Sequence, residues 1–401
     1  MSFVLSRERS EDKRQVSESN PSVETPVAEP PASKPLQPKI REARFEDYSQ
    51  IASVVQRNGL GFKAEEQWRH LWADNPVYQS LQDCPIGWVA VNPDDDRIVG
   101  YLGNIVTGFS IEGERVVCIS SYALALDPPY RRVAGFIGRR CRNQKNAEMH
   151  IITSANSKSF AMAQGPMTGS HVPAGDWQNS VYWITDYRGF AASALAMKNL
   201  PRIASYPAAL AMGIRESLRG NPFRAEGRQS QLIECTTFDE RFDDFWNDLK
   251  RAYPHRLLAD RSREVLLWHF KYPLLQDRVW ILTTRHKSAI STYAVFCRID
   301  NVRIGLKRMR LVDFQTLDGD PQMLAPMLAW AYHRCKREGI HMLEASGFRP
   351  EKEAVISRFH PHRRQLPNWF YFYWTRNKEL AARLTNPDAW DPCHYDGDSS
   401  L

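Results

Sequence analysis

Hydrophobic and polar positions along the chain predict two sets of helices and strands in a similar order. In the first set, a strand at residues 39–43 precedes a helix in which Tyr48, Ile51 and Val55 recur at helical spacing. Three strand-like runs with short turns follow, as in an antiparallel meander: residues 87–91, 98–109 and 114–126. The set closes with a helix reaching about Lys145, a strand at residues 150–153 and a short helix from Asn156.

The second set begins near Leu232 and repeats this order. Its elements are a helix with Phe238, Phe242, Phe245 and Trp246, a helix capped by Asp260 and Ser262, strands at residues 279–284, 289–299 and 304–316, a helix at 321–338 and a strand at 341–345. We therefore predict an α+β fold with two tandem domains, each a mixed, mostly antiparallel sheet flanked by helices.

The domain limits follow from changes in composition. Residues 1–38 contain six prolines and few large apolar side chains, so we expect a disordered tail there. The sequence Gly220-Asn221-Pro222 separates a predicted N-terminal domain at residues 39–220 from a C-terminal domain at 230–380. Residues 381–401 form a C-terminal extension.

Composition and charge narrow the class of protein. No apolar run approaches the roughly 20 residues of a membrane-spanning helix, and the seven cysteines form no C-x-x-C pair. We therefore expect a cytoplasmic protein without a membrane span or a metal site. The net charge of +7 is spread over 401 residues, which argues against a nucleic-acid partner.

The strongest chemical indication is the turn between the strand at residues 114–126 and the next helix. Backbone N–H groups at a helix start bind anions, and Gly135 permits close approach of the backbone to a phosphate. Arg131 and Arg132 add charged donors at the rim. The alternative interpretation is an ordinary strand–helix turn with solvated arginines.

This turn resembles motif A of the GNAT superfamily of acetyl-CoA-dependent N-acyltransferases, whose Arg/Gln-x-x-Gly-x-Gly/Ala sequence holds the coenzyme A pyrophosphate. It aligns at residues 131–136 or 132–137, within a resemblance that covers about residues 40–165. The resemblance implies an acyl-CoA co-substrate and no metal. It implies coenzyme contacts from Ala123, Leu124, Leu126, Arg131, Arg132, Val133, Ala134, Gly135, Phe136 and Asn156.

The second half resembles a further GNAT-like fold, as in tandem acyltransferases and FemABX peptidyltransferases. Its corresponding turn, however, reads Leu317-Asp318-Gly319-Asp320-Pro321. Two aspartates would repel a pyrophosphate, so we expect no coenzyme in this half. The ending from Trp390 to Asp398 is similar to a terminus of GNAT-like proteins from bacterial polysaccharide loci.

Catalytic residues of the GNAT family are only partly present. Family members commonly carry a glutamate base near the fourth strand and a tyrosine acid in the helix after the fifth, but residues 116–126 hold no carboxylate and Ala163 stands where the tyrosine is expected. The substitutes are Ser120, Ser121, Tyr122 and His171, each of which also fits a structural role. We predict Tyr122 as the acid, with water or His171 as the base.

Other polar and aromatic motifs have structural interpretations that we favour. The segment at residues 177–187 could stack a sugar or an acceptor, but a core strand is the better interpretation. Residues 368–374 predict a half-buried strand, and residues 360–364 a solvated basic loop.

The expected function is transfer of an acyl group, with acetyl as the expected group, to an amine such as an amino sugar, an amino acid, a peptide or a polysaccharide precursor. Two alternatives stay open. One is a non-catalytic GNAT-like binding or regulatory protein, since the glutamate and tyrosine are missing. The other is a FemABX-type transferase with an aminoacyl-tRNA donor, which the positive charge mildly supports.

Overall fold

The computed structural model describes residues 37–155, 169–220, 223, 232–286, 289–366 and 370–401. The predicted tail lies outside these residues, apart from Gln37 and Pro38. The short helix predicted from Asn156 also lies outside them.

The described helices follow the two predicted sets and add several that the pattern did not predict. In chain order they are α1 (Tyr48–Arg57), α2 (Glu65–Ala73), α3 (Pro76–Gln79), α4 (Ala134–Arg142), α5 (Tyr187–Met197), α6 (Ser205–Arg219), α7 (Arg241–Ala252), α8 (Arg263–Leu275), α9 (Leu324–Arg337), α10 (Pro350–Ser357) and α11 (Lys378–Leu384). No helix in the described part of the chain is long and apolar enough to cross a membrane.

The described strands are β1 (Lys39–Glu42), β2 (Gly87–Val91), β3 (Ile98–Ile111), β4 (Glu114–Leu126), β5 (Met149–Ala155), β6 (Ser170–His171), β7 (Asn179–Ile184), β8 (Ile233–Cys235), β9 (Leu258–Ala259), β10 (Val279–His286), β11 (Ala289–Arg298), β12 (Arg308–Thr316), β13 (Met342–Ser346), β14 (His362–Gln365) and β15 (Phe370–Thr375).

These strands form two mixed sheets. The first has the order β1-β2-β3-β4-β5-β15-β6, with β9 paired to β3, and the second has the order β14-β7-β13-β12-β11-β10-β8. In each sheet one pair is parallel, β4 with β5 and β12 with β13, while the other recorded pairs are antiparallel. The predicted α+β class, with a parallel pair inside each mostly antiparallel sheet, is confirmed.

The two sheets exchange strands across the predicted domain boundary. Strand β7, from the first half of the chain, pairs with β13, and β15, from the second half, pairs with β5. A single buried cluster joins side chains from both sheets, among them Phe109, Met149 and Phe296, and includes Phe242 of α7. The sheets therefore do not divide at Gly220. The division into two domains at residues 39–220 and 230–380 stays a prediction.

Local chemistry explains two differences from the predicted elements. Strand β12 starts at Arg308 instead of residue 304, because Val302–Ile304 forms a 3-10 turn that Gly305 ends at a φ of +67°. The basic loop expected at residues 360–364 is instead largely the edge strand β14, where Arg364 donates to the buried carboxylate of Glu344. The segment at 177–187 contains core strand β7, as the favoured interpretation predicted.

Candidate functional site

The parallel strands β4 and β5 part after three paired residues. Their pairing runs from Cys118 opposite Met149 to Ser120 opposite Ile151. Beyond that point β4 pairs with β3, while β5 pairs with β15. We call the opening between residues 120–126 of β4 and 151–155 of β5 the first wedge.

Strand β4 carries a bulge where it borders the first wedge. Tyr122 lies opposite Gly103, but Tyr101 lies opposite Ala125, so β4 has one more residue than β3 in this interval. Ala123 has a φ of +53°, which alanine rarely adopts. A bulge takes backbone groups out of the ladder and turns them in new directions. The bulge therefore interrupts the regular β3–β4 pairing at Ala123 and Leu124, where β4 borders the wedge.

The β4–α4 turn, residues 127–136, connects this strand to α4 without a side-chain cap. Pro128–Val133 forms a 3-10 turn that continues directly into the helix, and neither Asp127 nor Val133 caps the helix start. The Asp127 carboxylate instead accepts from Arg57 at 2.7 Å through both oxygens. The helix start thus keeps its positive end without a competing carboxylate charge.

The predicted contact residues of this turn fall into two groups. Arg131, Arg132 and Phe136 are exposed, whereas Val133 and Ala134 are buried in the first core. Leu126 is buried at the end of β4. The turn therefore presents arginines and backbone to solvent, which suits an anion.

A carboxylate enters the first wedge from the C-terminal segment, residues 390–401. The 3-10 turn Asp398–Ser400 contacts both β4 and β5. Asp398 accepts from Thr153 Oγ1 at 2.8 Å and from Ser154 Oγ at 2.7 Å. Burial raises the pKa of Asp398 above the ordinary aspartate value, which makes it a better proton acceptor.

Close packing of Gly397 allows this segment to enter the wedge. A Cβ atom on Gly397 would lie 2.4 Å from Thr153 Oγ1 and 3.1 Å from Ser120 Oγ. Any larger residue would have to move Asp398 away from β5.

The predicted residue Tyr122 lies in the same wedge. Its ring stacks on Phe62 with 6.2 Å between centroids, and burial raises its pKa, with a further contribution from the charge of Asp398. The phenol therefore stays protonated near neutral pH. It can donate a hydrogen bond, but it is a weaker acid than an exposed tyrosine.

Ser121 lies beside a buried histidine. Its Oγ is 2.8 Å from His150 Nε2, and burial lowers the pKa of His150 to about 3. The imidazole is therefore neutral and can hold the Ser121 hydroxyl in place without carrying charge.

The structure brings Ser121, Tyr122, Ala123 and Leu124 together, but His171 lies elsewhere. His171 belongs to β6, with β15 and β5 between it and β4, and its ring packs 4.4 Å from that of Phe372. Asn156 lies outside the described residues. Sequence reasoning missed Asp398 and His150. The sequence analysis singled out the ending from Trp390 to Asp398 only for its similarity to a terminus of GNAT-like proteins, and it gave Asp398 no role.

The second sheet has a corresponding opening, which we call the second wedge: residues 310–316 of β12 and 344–346 of β13. The two strands pair only from Arg308 opposite Met342 to Arg310 opposite Glu344. The C-terminal segment enters this wedge too, because His394 Nε2 lies 2.7 Å from Ser346 Oγ and Cys393 Sγ lies 3.4 Å from Asp313.

Comparison with solved structures finds similar folds at low sequence identity. Saccharomyces cerevisiae N-myristoyltransferase with bound myristoyl-CoA matches with a TM-score of 0.54 and 12% identity, over 92% of this chain and 87% of that one. A second structure of that enzyme with bound myristoyl-CoA gives 0.52 and 12% over 85% and 84%. A GCN5-related N-acetyltransferase from Anabaena variabilis gives 0.50 and 14% over 85% and 73%.

No family model matches the chain, and no curated protein matches it. The similarity to FemABX transferases stays a prediction. The matched folds nevertheless extend over most of the chain, and the predicted pair of GNAT-like units is confirmed. The chain thus has the tandem GNAT-like fold that it shares with N-myristoyltransferase.

Proposed function

We propose that this chain is an acyl-CoA-dependent N-acyltransferase whose first wedge is the active site. The observation that carries the proposal is the combination of a bulged strand and the carboxylate of Asp398 in one opening, with exposed arginines on the turn that follows that strand. The fold adds support, since the similar yeast N-myristoyltransferase was crystallised with myristoyl-CoA.

The β4–α4 turn fits the pyrophosphate of a coenzyme A. The positive end of the helix favours an anion, and the exposed Arg131 and Arg132 offer charged donors beside it. Asp127, the nearest carboxylate in the sequence, is paired with Arg57 and so does not oppose a phosphate charge. Gly135 is half-exposed and leaves the backbone accessible.

The residues of the first wedge can supply the steps of acyl transfer. An acyl-CoA provides a thioester carbonyl, and backbone N–H groups at the Ala123 bulge would stabilise the negative charge that develops on its oxygen. Asp398 would accept the proton from the acceptor ammonium, because its raised pKa brings it nearer to the working pH. Protonated Tyr122 would donate a hydrogen bond to the departing sulfur.

Asp398 replaces the base that we predicted from the sequence. His171 lies on the outer edge of the first sheet, whereas Asp398 faces both strands of the wedge. A carboxylate in this position also favours catalysis over the non-catalytic alternative. Acetyl as the acyl group, and an amino sugar, amino acid or peptide as the acceptor, stay proposals.

Substitution of Asp398 tests this function. We expect Asp398→Asn to slow coenzyme A release from acetyl-CoA, with a panel of amines, by about a hundredfold or more, with unchanged coenzyme affinity. The rate of the unaltered protein should fall in acid at a pH above the ordinary aspartate value of about 4, because its pKa is raised. Asp388→Asn, at an exposed position before the same segment, is the matched control.

Two results would contradict the proposal. One is an Asp398→Asn variant that turns over at the full rate with an unchanged pH profile, which would exclude Asp398 as the base. The other is a protein that binds coenzyme A but acylates no amine, which would support a binding module.

A further inference from the structure

Exposed apolar side chains concentrate on one helical hairpin. Nine large hydrophobic residues of the described chain are well exposed, and six of them lie within residues 197–214: Met197, Leu200, Ile203, Tyr206, Leu210 and Ile214. Their exposed fractions run from 49% for Leu200 to 78% for Ile203. The other three are isolated in the sequence: Phe136, Leu275 and Val302. A patch of this kind on a folded protein marks an interaction surface.

The apolar side chains of α6 lie on one face. Ile203, just before the helix, and Tyr206, Leu210 and Ile214 recur every three or four residues, which is the spacing of a single helical face. Between them, Ala208, Ala209 and Met212 are half-buried, and α6 packs against α5. The exposed face of α6 therefore carries Tyr206, Leu210 and Ile214, opposite the side that packs on α5.

The hairpin is fixed to the second sheet through α5. Asp186 caps α5 by accepting from the N–H groups of Arg188 and Gly189. A Cβ atom on Gly189 would lie 2.3 Å from the His341 ring, so the helix approaches the sheet end closely at this point. The exposed face of α6 is thus held by a packed base.

The charges of the hairpin are mostly positive. From residue 187 to the end of α6, the sequence contains one acidic residue, Glu216, and five basic ones: Arg188, Lys198, Arg202, Arg215 and Arg219. Arg188 stacks on the exposed ring of Tyr206 at 4.2 Å and donates to its hydroxyl group. An apolar helical face with basic flanks is the pattern of helices that lie in a membrane interface.

We infer that the α5–α6 hairpin docks on the surface of an anionic lipid bilayer, with the apolar face of α6 in the interface and the basic residues at the headgroups. The charge argues against a second copy of the chain as the occupant, because self-association through this face would bring two hairpins of net positive charge together. This inference does not rest on the proposed acyltransferase activity.

Vesicle binding by the full chain tests the inference. We expect the protein to sediment with phosphatidylcholine vesicles that contain about 30% phosphatidylglycerol, and much less with phosphatidylcholine alone. Binding should weaken when salt is raised from about 0.1 M to about 0.5 M. Leu210→Asp should weaken it by about tenfold or more, whereas Leu275→Asp, a matched change at a 73% exposed side chain on α8, should not. Arg202→Glu should weaken binding to the anionic vesicles.

Three results would overturn the inference. The first is no binding to either vesicle, and the second is equal loss in Leu210→Asp and Leu275→Asp. The third is a dimer, seen by light scattering without lipid, that Leu210→Asp dissociates, because a second copy would then occupy the face. Circular dichroism and thermal unfolding of both variants establish that each is folded, which makes the vesicle result interpretable.

Discussion

The two wedges have the same topology but differ in how their polar groups are satisfied. In the second wedge, the buried Arg261 donates to both oxygens of Asp313, at 2.8 and 3.0 Å, and the Tyr293 hydroxyl donates to the same carboxylate. Burial acts to raise the pKa of the Glu344 carboxyl group. The nearby Arg310 and Arg308 nevertheless hold this pKa well below its usual value. The charges of the second wedge are already paired within the protein.

The connecting turns differ in the same way. In the β12–α9 turn, residues 317–323, Asp320 accepts from the N–H of Gln322, and Asp318 accepts from the N–H of Asp320. In the β4–α4 turn, Asp127 caps nothing and pairs with Arg57 instead. In the β12–α9 turn aspartate side chains accept from backbone donors, whereas in the β4–α4 turn no side chain caps the helix start.

One segment of the chain serves both wedges. Cys393 and His394 contact the second wedge, and Asp398 lies in the first. The C-terminal segment therefore connects the second wedge, whose charges are paired within the protein, to the first wedge, where we propose the chemistry.

The largest expected effect comes from breaking the buried ion pair of the second wedge. Arg261→Met leaves the Asp313 carboxylate buried without its partner, which should cost about 3–5 kcal/mol of unfolding free energy. Arg57→Met removes a similar bidentate pair that reaches the surface beside the first wedge, and should cost about 0–1 kcal/mol. Urea unfolding at neutral pH measures both. Equal losses of unfolding free energy in the two variants would contradict the distinction between the second wedge, with its buried ion pair, and the first wedge, whose ion pair reaches the surface.

The same pair predicts a pH dependence of stability. Burial acts to raise the pKa of Asp313, but Arg261 lowers it to about 2 in the folded protein. Because the folded pKa is below the unfolded value of about 4, the stabilisation is present above pH 4 and is lost as the pH falls toward 2. The Arg261→Met variant should lack most of this acid-dependent loss.

A smaller effect is expected where the C-terminal segment enters the first wedge. Gly397→Ala places a methyl group against Thr153 and Ser120 and should cost about 1–3 kcal/mol of unfolding free energy. It should also slow amine acylation, since Asp398 moves with its neighbour. Gly61→Ala, at a position with no atom within 4 Å of the new Cβ, is the control. An unchanged melting temperature in Gly397→Ala would contradict the close approach.

The smallest expected effect is a pH-dependent change in stability from Asp396 in the C-terminal segment. Burial raises the pKa of Asp396, which lies between the two wedge contacts, to about 7. Its protonated form therefore stabilises the fold at low pH, and this contribution is lost as the pH rises through 7. Asp396→Asn should stabilise the protein by about 1–2 kcal/mol near pH 8.5 and by much less near pH 5. Equal shifts of melting temperature at both pH values would refute the raised pKa.

Local elements were predictable where apolar runs end at turns. The bounds of β2 and β4 agree with the predicted strands because Gly87–Val91 and Glu114–Leu126 are apolar runs between turn residues. The exchange of β7 and β15 was not predictable, since pairing partners depend on the whole topology. The α5–α6 hairpin also escaped prediction, because its outward face is apolar and gives little contrast with its inward face.

Only those residues of the candidate site that follow one another in the sequence were predictable. Tyr122, Ala123 and the residues of the β4–α4 turn follow one another in the sequence, so a motif could indicate them. Asp398 reaches Thr153 across 245 residues, and no local pattern relates the two. The carboxylate that we propose as the base therefore comes from a part of the chain distant from β4.

The most direct test of the account is titration of the full chain with coenzyme A by calorimetry. We predict one site per chain, with affinity reduced by about tenfold or more in Gly135→Asp, because a carboxylate then meets the phosphate at the open turn. Arg131→Ala should weaken binding less. Gln322→Asp introduces the same charge at an exposed position near the end of the β12–α9 turn and should leave affinity unchanged. Equal losses in Gly135→Asp and Gln322→Asp, or a loss in neither, would contradict the assignment of coenzyme binding to the first wedge.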